Sequence, residues 1–216
     1  VLYFCFGFYS GVLGMSLSMM IRMALWKPGK IMSGHMYNVV VTTHALTMIF
    51  FMVMPTLMGG FGNYLLPLML GIVDLIYPRL NMLSWWLLPT ALYLMVSSVS
   101  SEGGSGTSWT FYPPLSSEGH YGTSVDFSIF SLHIAGVSSM VGSFNFMTTI
   151  SVGKGSQTLE NLVLMVWTLV VTTFLLILSL PVLASGLTML LFDRCLNTCY
   201  FEASGGGNAL LYQHLF

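Results

Sequence analysis

His44 is the residue in this sequence whose setting best suits it to chemistry. It lies in the apolar run Val39-Val40-Val41-Thr42-Thr43-His44-Ala45-Leu46, about two turns into a hydrophobic segment that opens near Tyr37. A neutral imidazole there can donate a hydrogen bond through one ring nitrogen and bind a metal through the other. It can equally be a core histidine bonded to a neighbouring helix, and spacing alone leaves both readings open. The other histidines offer it little company. His35 stands at the segment edge, His120 in a loop, His133 in a later segment and His214 near the last residue.

Paired metal or heme sites in helical membrane proteins commonly use two histidines on one face of each helix. His120 and His133 are 13 positions apart, which at about 100° per residue puts them on different faces. With no second such pair, a self-contained diheme cytochrome is not expected. A further set is polar but uncharged: Asn63, Asn81, Ser84, Ser138, Ser139 and Asn145, with Asp74 near a segment end. Amides and hydroxyls can hold ordered water, and a carboxylate at a membrane edge can collect protons, so the set has the composition of a proton path. The same residues also serve as interhelical hydrogen bonds, and Asp74 can pair with Arg79.

Arg22 is a fixed cation near the end of the first segment. It either snorkels to the interface or meets a polar group of a cofactor. Cys195 and Cys199 lack a histidine or further cysteine at ligand spacing, and Cys5 sits in an apolar run. Gly103-Gly104-Ser105-Gly106 lacks the Lys-Ser/Thr that a phosphate loop requires.

The elements that must position these groups are membrane helices. Hydrophobic residues make up 55 % of the chain and charged ones only 6 %, against roughly a quarter charged in soluble domains. Mean hydropathy is +0.82. The net charge of −1 gives no field for nucleic acid or anionic substrates. Crossing a hydrocarbon core about 30 Å thick takes roughly 20 apolar residues of helix. Spans are expected at about 2–25, 37–70, 82–101, 123–152 and 160–192, with residues 209–216 opening a sixth. The fold expected is therefore an all-α polytopic transmembrane bundle forming one domain over 1–216. The second span is about 50 Å long, which implies one helix that tilts or protrudes, perturbed at Pro55 and at Gly59-Gly60-Phe61-Gly62. Asp74, Pro78 and Arg79 are expected in the turn after it. Arg22, Lys27, Lys30 and Arg194 fall on one side and Arg79 and Lys154 on the other, which by the positive-inside rule places the first side inward.

Several stretches together resemble the subunit I family of the heme–copper oxidases, that of cytochrome c oxidase. They are Tyr37 through Ala45, Ile49 through Leu66, Asp74 through Asn81, Gly106 through Thr110, Tyr112-Pro113-Pro114-Leu115 and Ser124-Val125-Asp126. Ile129 through Ser139, Ser179 through Ala184, Asp193-Arg194 and Leu211 through Phe216 complete the set, in family order across almost the whole chain. The resemblance implies that His44 is an axial ligand of the low-spin heme a and that Arg22 bonds the heme formyl group. It implies that Tyr37, Ser18 and Trp109 line that heme. Asp74 would be the mouth of the D proton pathway, with Asn63, Asn81, Ser84, Ser138, Ser139 and Asn145 along it. It also places the N-terminus on the matrix side of the mitochondrial inner membrane, opposite to the charge count, and is followed there.

The family's copper B ligands, its high-spin heme ligand and its second heme a ligand lie beyond Phe216. The expectation is an N-terminal fragment of a divided catalytic subunit. Another chain would complete heme a and carry heme a3 and copper B, alongside the copper A subunit, cytochrome c and membrane lipid. Such a chain would be inactive alone. The alternative is a structural or assembly fragment without cofactor. Ala24 stands where many relatives carry a glutamate, which puts a peripheral Ca²⁺ or Na⁺ site in doubt, and Tyr64 replaces a more usual tryptophan without expected effect.

Overall fold

A computed structural model describes residues 1–29, 31–155 and 158–216. Among these there is no strand, and five helices are long and apolar enough to cross a membrane: α1 (Leu2–Leu25), α2 (Gly34–Leu70), α3 (Pro78–Ser100), α4 (Ser124–Gly153) and α5 (Leu164–Cys195). A short α6 (Ala209–Leu215) follows.

In hydrocarbon, apolar burial gives helices little reason to associate, so close approach and polar bonds hold them together. The α1–α2 contact shows this directly. A Cβ on Gly7 would lie 2.1 Å from Thr56 Oγ1, and one on Gly14 would lie 2.4 Å from Met48 Sδ. Between them the buried Ser10 hydroxyl donates to the Phe51 carbonyl at 2.6 Å. In the other direction, the Tyr3 and Phe4 rings of α1 lie against Gly59 and Gly60 of α2.

The long second segment is a single helix of 37 residues. At 1.5 Å per residue it extends about 55 Å, nearly twice the hydrocarbon thickness. It carries two π-helical stretches, Thr47–Val53 and Pro55–Gly62. Pro55 has no N–H to give and its ring crowds the preceding turn, so the helix widens there instead of breaking. The helix starts at Gly34, not Tyr37, because the Ser33 side chain caps it by accepting from Met36 N at 3.2 Å.

The turn after α2 is shorter than expected. Pro78 is a first-turn residue of α3, where its fixed φ suits a helix start, so Pro78 and Arg79 are helical and the turn ends at Tyr77. Helices α3 and α4 then meet along a hydroxyl seam that repeats every seven residues on α3. Ser138 donates to the Ser84 carbonyl at 2.6 Å, Ser131 to the Ala91 carbonyl at 2.7 Å, and Ser98 pairs with Ser128 at 2.6 Å. A heptad spacing keeps one face of a helix turned toward its neighbour.

Glu160, expected to open the fifth span, instead lies in a single 3₁₀ turn, and α5 begins at Leu164. At its other end α5 carries Arg194, whose buried side chain clasps the α3–α4 loop. Arg194 Nε donates to Asp126 Oδ1 at 2.6 Å, Nη1 to the Ser116 and His120 carbonyls at 2.6 and 2.8 Å, and Nη2 to the Gly122 carbonyl at 2.7 Å. The planar five-donor guanidinium suits this convergence of oxygens. The same loop is held by α6, whose buried Tyr212 donates its hydroxyl to the Thr110 carbonyl at 2.8 Å.

Candidate functional site

His44 is half-buried on α2 and faces α1. Its Nδ1–H donates to the Gly14 carbonyl at 2.8 Å. A carbonyl only accepts, so this bond fixes the proton on Nδ1 and leaves the Nε2 lone pair outward, without a partner among the described residues. Gly14 makes the bond possible, since any side chain there would strike Met48 and hold α1 away. The threonines beside His44 do not compete for it. Thr42 and Thr43 donate back to the Asn38 and Val39 carbonyls, each at 2.8 Å.

The other residues expected around His44 are spread over three elements. Ser18 lies one turn beyond Gly14 on α1, half-buried, and Arg22 one turn further, exposed. Neither side chain has a hydrogen bond or ion pair among the described residues, so both are available to a ligand. Tyr37 is half-buried two turns before His44 on α2. Trp109 is brought to this side by its neighbour Ser108, whose N–H donates to Thr42 Oγ1 at 3.0 Å. Its ring meets Phe216 edge-on at 5.8 Å. No hydrogen bond links the five residues to one another among the described residues.

The polar set divides. Asn63, Asn81, Ser84, Ser138 and Ser139 line one cavity between α2, α3 and α4, together with Tyr3 of α1. Asn63 Nδ2 donates to Asn81 Oδ1 at 2.9 Å, and Ser84 donates to the Asn81 carbonyl at 2.8 Å. Asn63 Oδ1 is buried and has no partner among the described residues, so it is an acceptor awaiting a donor such as water. Asp74 is exposed and lines an outer cleft that shares Tyr3, Asn63 and Asn81 with the cavity. Its Oδ1 accepts from Leu75 N at 2.7 Å, and it makes no ion pair with Arg79 among the described residues.

Asn145 does something else. It receives the Tyr77 N–H at 3.2 Å and donates to the Tyr77 carbonyl at 3.0 Å, which commits its amide to the turn behind Asp74. Thr149 holds Ile76 N in the same way at 3.2 Å. The sequence reading passed over Tyr3, which it absorbed into an apolar run. Its hydroxyl bonds the Asn81 carbonyl at 3.3 Å and also Ser84 Oγ. A phenol in an apolar, largely aromatic run was the only signal available.

Cys195 and Cys199 are exposed and free. Desolvation, then the Glu202 and Asp193 carboxylates, push the Cys199 thiol above its ordinary range, away from the thiolate that ligation requires. Among the described residues no three His, Cys, Asp or Glu side chains assemble a metal site.

Comparison with known proteins shows the family of the chain. The family model described as Cytochrome C and Quinol oxidase polypeptide I matches residues 1–216, the whole chain. The chain belongs to this oxidase family. Cytochrome c oxidase subunit 1 of Yarrowia lipolytica is 51 % identical over 221 residues, and that of Mytilus edulis 52 % over 222. The Eremothecium gossypii protein of the same name is 48 % identical over 221 residues. In each case the whole of this chain is covered but only 41, 40 and 41 % of the relative, in that order. The chain thus spans about two fifths of the length of these oxidase subunits.

Proposed function

We propose that the chain supplies one half of a low-spin heme site and the entrance of a proton path to a cytochrome c oxidase of the mitochondrial inner membrane. The observation that carries this is the bond from His44 Nδ1 to the Gly14 carbonyl. Metal-ligating histidines almost always donate their second ring N–H to a carbonyl, carboxylate or water, which orients the ring and raises its basicity. His44 has that arrangement already, with Nε2 unengaged, so the residues present fit a heme ligand.

His44 would hold the iron of heme a, with Ser18, Arg22, Tyr37 and Trp109 around the macrocycle. When bound, the heme supplies one-electron redox chemistry. The chain's own contribution is to fix the imidazole tautomer, to offer Arg22 as a fixed cation for a polar heme substituent, and to keep water from the ligand by α1–α2 packing. The other ligand of heme a, and those of heme a3 and copper B, would come from residues outside these 216. The copper A subunit and cytochrome c would be further partners in the complex.

On the other side, Asp74 collects protons from the aqueous phase. Asn63, Asn81, Ser84, Ser138, Ser139 and Tyr3 provide polar groups in a cavity where water can pass them on. Asn145 acts by holding the turn that presents Asp74.

Replacing His44 by Ala tests the heme reading without reference to turnover. The expected result is loss of the low-spin heme absorption from a complex that still assembles in the membrane. Unchanged low-spin absorption would overturn the assignment, and would favour a structural role for the chain without cofactor.

A further inference from the structure

We propose that His35 and His120 form a two-histidine site for a divalent transition-metal ion of the zinc or copper(II) class. The two residues are far apart in sequence, one preceding the bulk of α2 and the other in the α3–α4 loop, and the fold brings their rings together. The centroids are 5.8 Å apart and the planes are inclined by 42°.

Both rings are anchored through the same nitrogen to consecutive carbonyls. His35 Nε2–H donates to the Gly103 carbonyl at 3.1 Å, and His120 Nε2–H to the Gly104 carbonyl, also at 3.1 Å. Among the described residues the only other hydrogen bond of His120 Nε2 is from the Gly106 N–H at 3.5 Å, too long to set the tautomer against it. Each Nδ1 therefore carries a lone pair. His120 Nδ1 is buried and has no partner among the described residues. A buried acceptor of this kind is costly unless something meets it.

The spacing suits a metal. With a metal–nitrogen bond of about 2.0–2.1 Å, an imidazole centroid sits roughly 3.2 Å from the ion. Two such rings at a tetrahedral angle have centroids about 5.2 Å apart, and at a linear angle about 6.4 Å. The observed separation falls between these limits, as two rings that share one ion require. Backbone carbonyls on the outer nitrogens are the usual second partners of metal-bound histidines. Gly106 keeps the space open, since a Cβ there would lie 3.1 Å from both Cε1 and Nδ1 of His35. Imidazole ligands favour zinc and copper over magnesium or calcium. No third His, Cys, Asp or Glu joins the pair among the described residues, so water completes the coordination.

The site does not depend on the heme reading, and its test is separate. Zinc chloride alone is titrated into the purified complex containing the full chain, and the isotherm is compared with those of His35→Gln and His120→Gln. The exposed His35 tolerates substitution without repacking. The expected result is one equivalent of zinc whose affinity falls at least tenfold in either variant, with low-spin heme absorption intact in His35→Gln. An isotherm unchanged by His35→Gln overturns the site. So does a loss confined to His120→Gln, which would indicate a single histidine acting alone. Gly106→Ala should weaken the same equivalent, because its Cβ displaces the His35 ring.

Discussion

Replacing Arg194 by Met should release the α3–α4 loop from the end of α5. The guanidinium makes a 2.6 Å bond to Asp126 Oδ1 and bonds of 2.6–2.8 Å to the Ser116, His120 and Gly122 carbonyls. Its side chain is 5 % exposed and that of Asp126 21 %. Removing one partner of a buried ion pair typically costs about 3–5 kcal/mol, because the other charge is left uncompensated. Water can replace the lost donor at the exposed Gly122 carbonyl, whereas Ser116 is fully buried and its carbonyl is left unmet, which moves the cost toward the upper end of that range. The loss should be local to residues 113–123. Amide hydrogen exchange followed by mass spectrometry reads it directly. At 1.4 kcal/mol per factor of ten, protection across that segment should fall about two to three and a half orders of magnitude, while α3 and α4 keep theirs. Arg194→Lys should fall between, since an ammonium keeps the charge but cannot reach four oxygens with planar geometry. Adding Asp126→Asn to Arg194→Met should restore part of the protection by removing the orphaned carboxylate. If Arg194→Met changes protection less than tenfold, the clasp is not what holds the loop.

Gly14→Ala should move α1 away from Met48 and lengthen the bond from His44 Nδ1. Second-partner losses at metal ligands typically cost about 10–100-fold, so low-spin heme occupancy should drop by about that factor in a heme titration. Asp74→Asn should slow proton uptake measured with a pH indicator, while heme reduction keeps its rate; equal slowing of both would refute an entry role. Tyr3→Phe should also slow proton uptake, by less than Asp74→Asn, because Ser84 keeps its bond to the Asn81 carbonyl. Asn145→Leu should resemble Asp74→Asn in uptake rate but, unlike it, should raise amide exchange at residues 74–77.

Much of this architecture is legible in the amino-acid order. Hydrocarbon forces every backbone group into a helix, so runs of apolar residues of sufficient length declare the spans. The perturbation of α2 at Pro55 follows from proline lacking an N–H. The start of α3 at Pro78 was misplaced because proline reads equally as a turn residue and as a first-turn helix residue, and only the chain's path distinguishes them. The start of α5 was misplaced because Glu160 marks where polarity ends, not where hydrogen bonding begins.

The site residues depended on more. The sequence by itself determined that His44, Arg22, Asp74 and the amides and hydroxyls would stand in or beside a membrane, because their neighbours are apolar. Family likeness suggested what each would do. Only the tertiary structure decided which of them meet. It gave His44 a defined tautomer through a carbonyl 30 positions away, separated Asn145 from the cavity that holds Asn63 and Ser138, and placed Tyr3 in that cavity. It also brought His35 to His120 across 85 positions. A hydrogen bond or a shared ion depends on distances of a few ångströms between atoms on different helices. Those distances are set by side-chain volume at crossings such as Gly14 against Met48, and not by any local pattern along the chain.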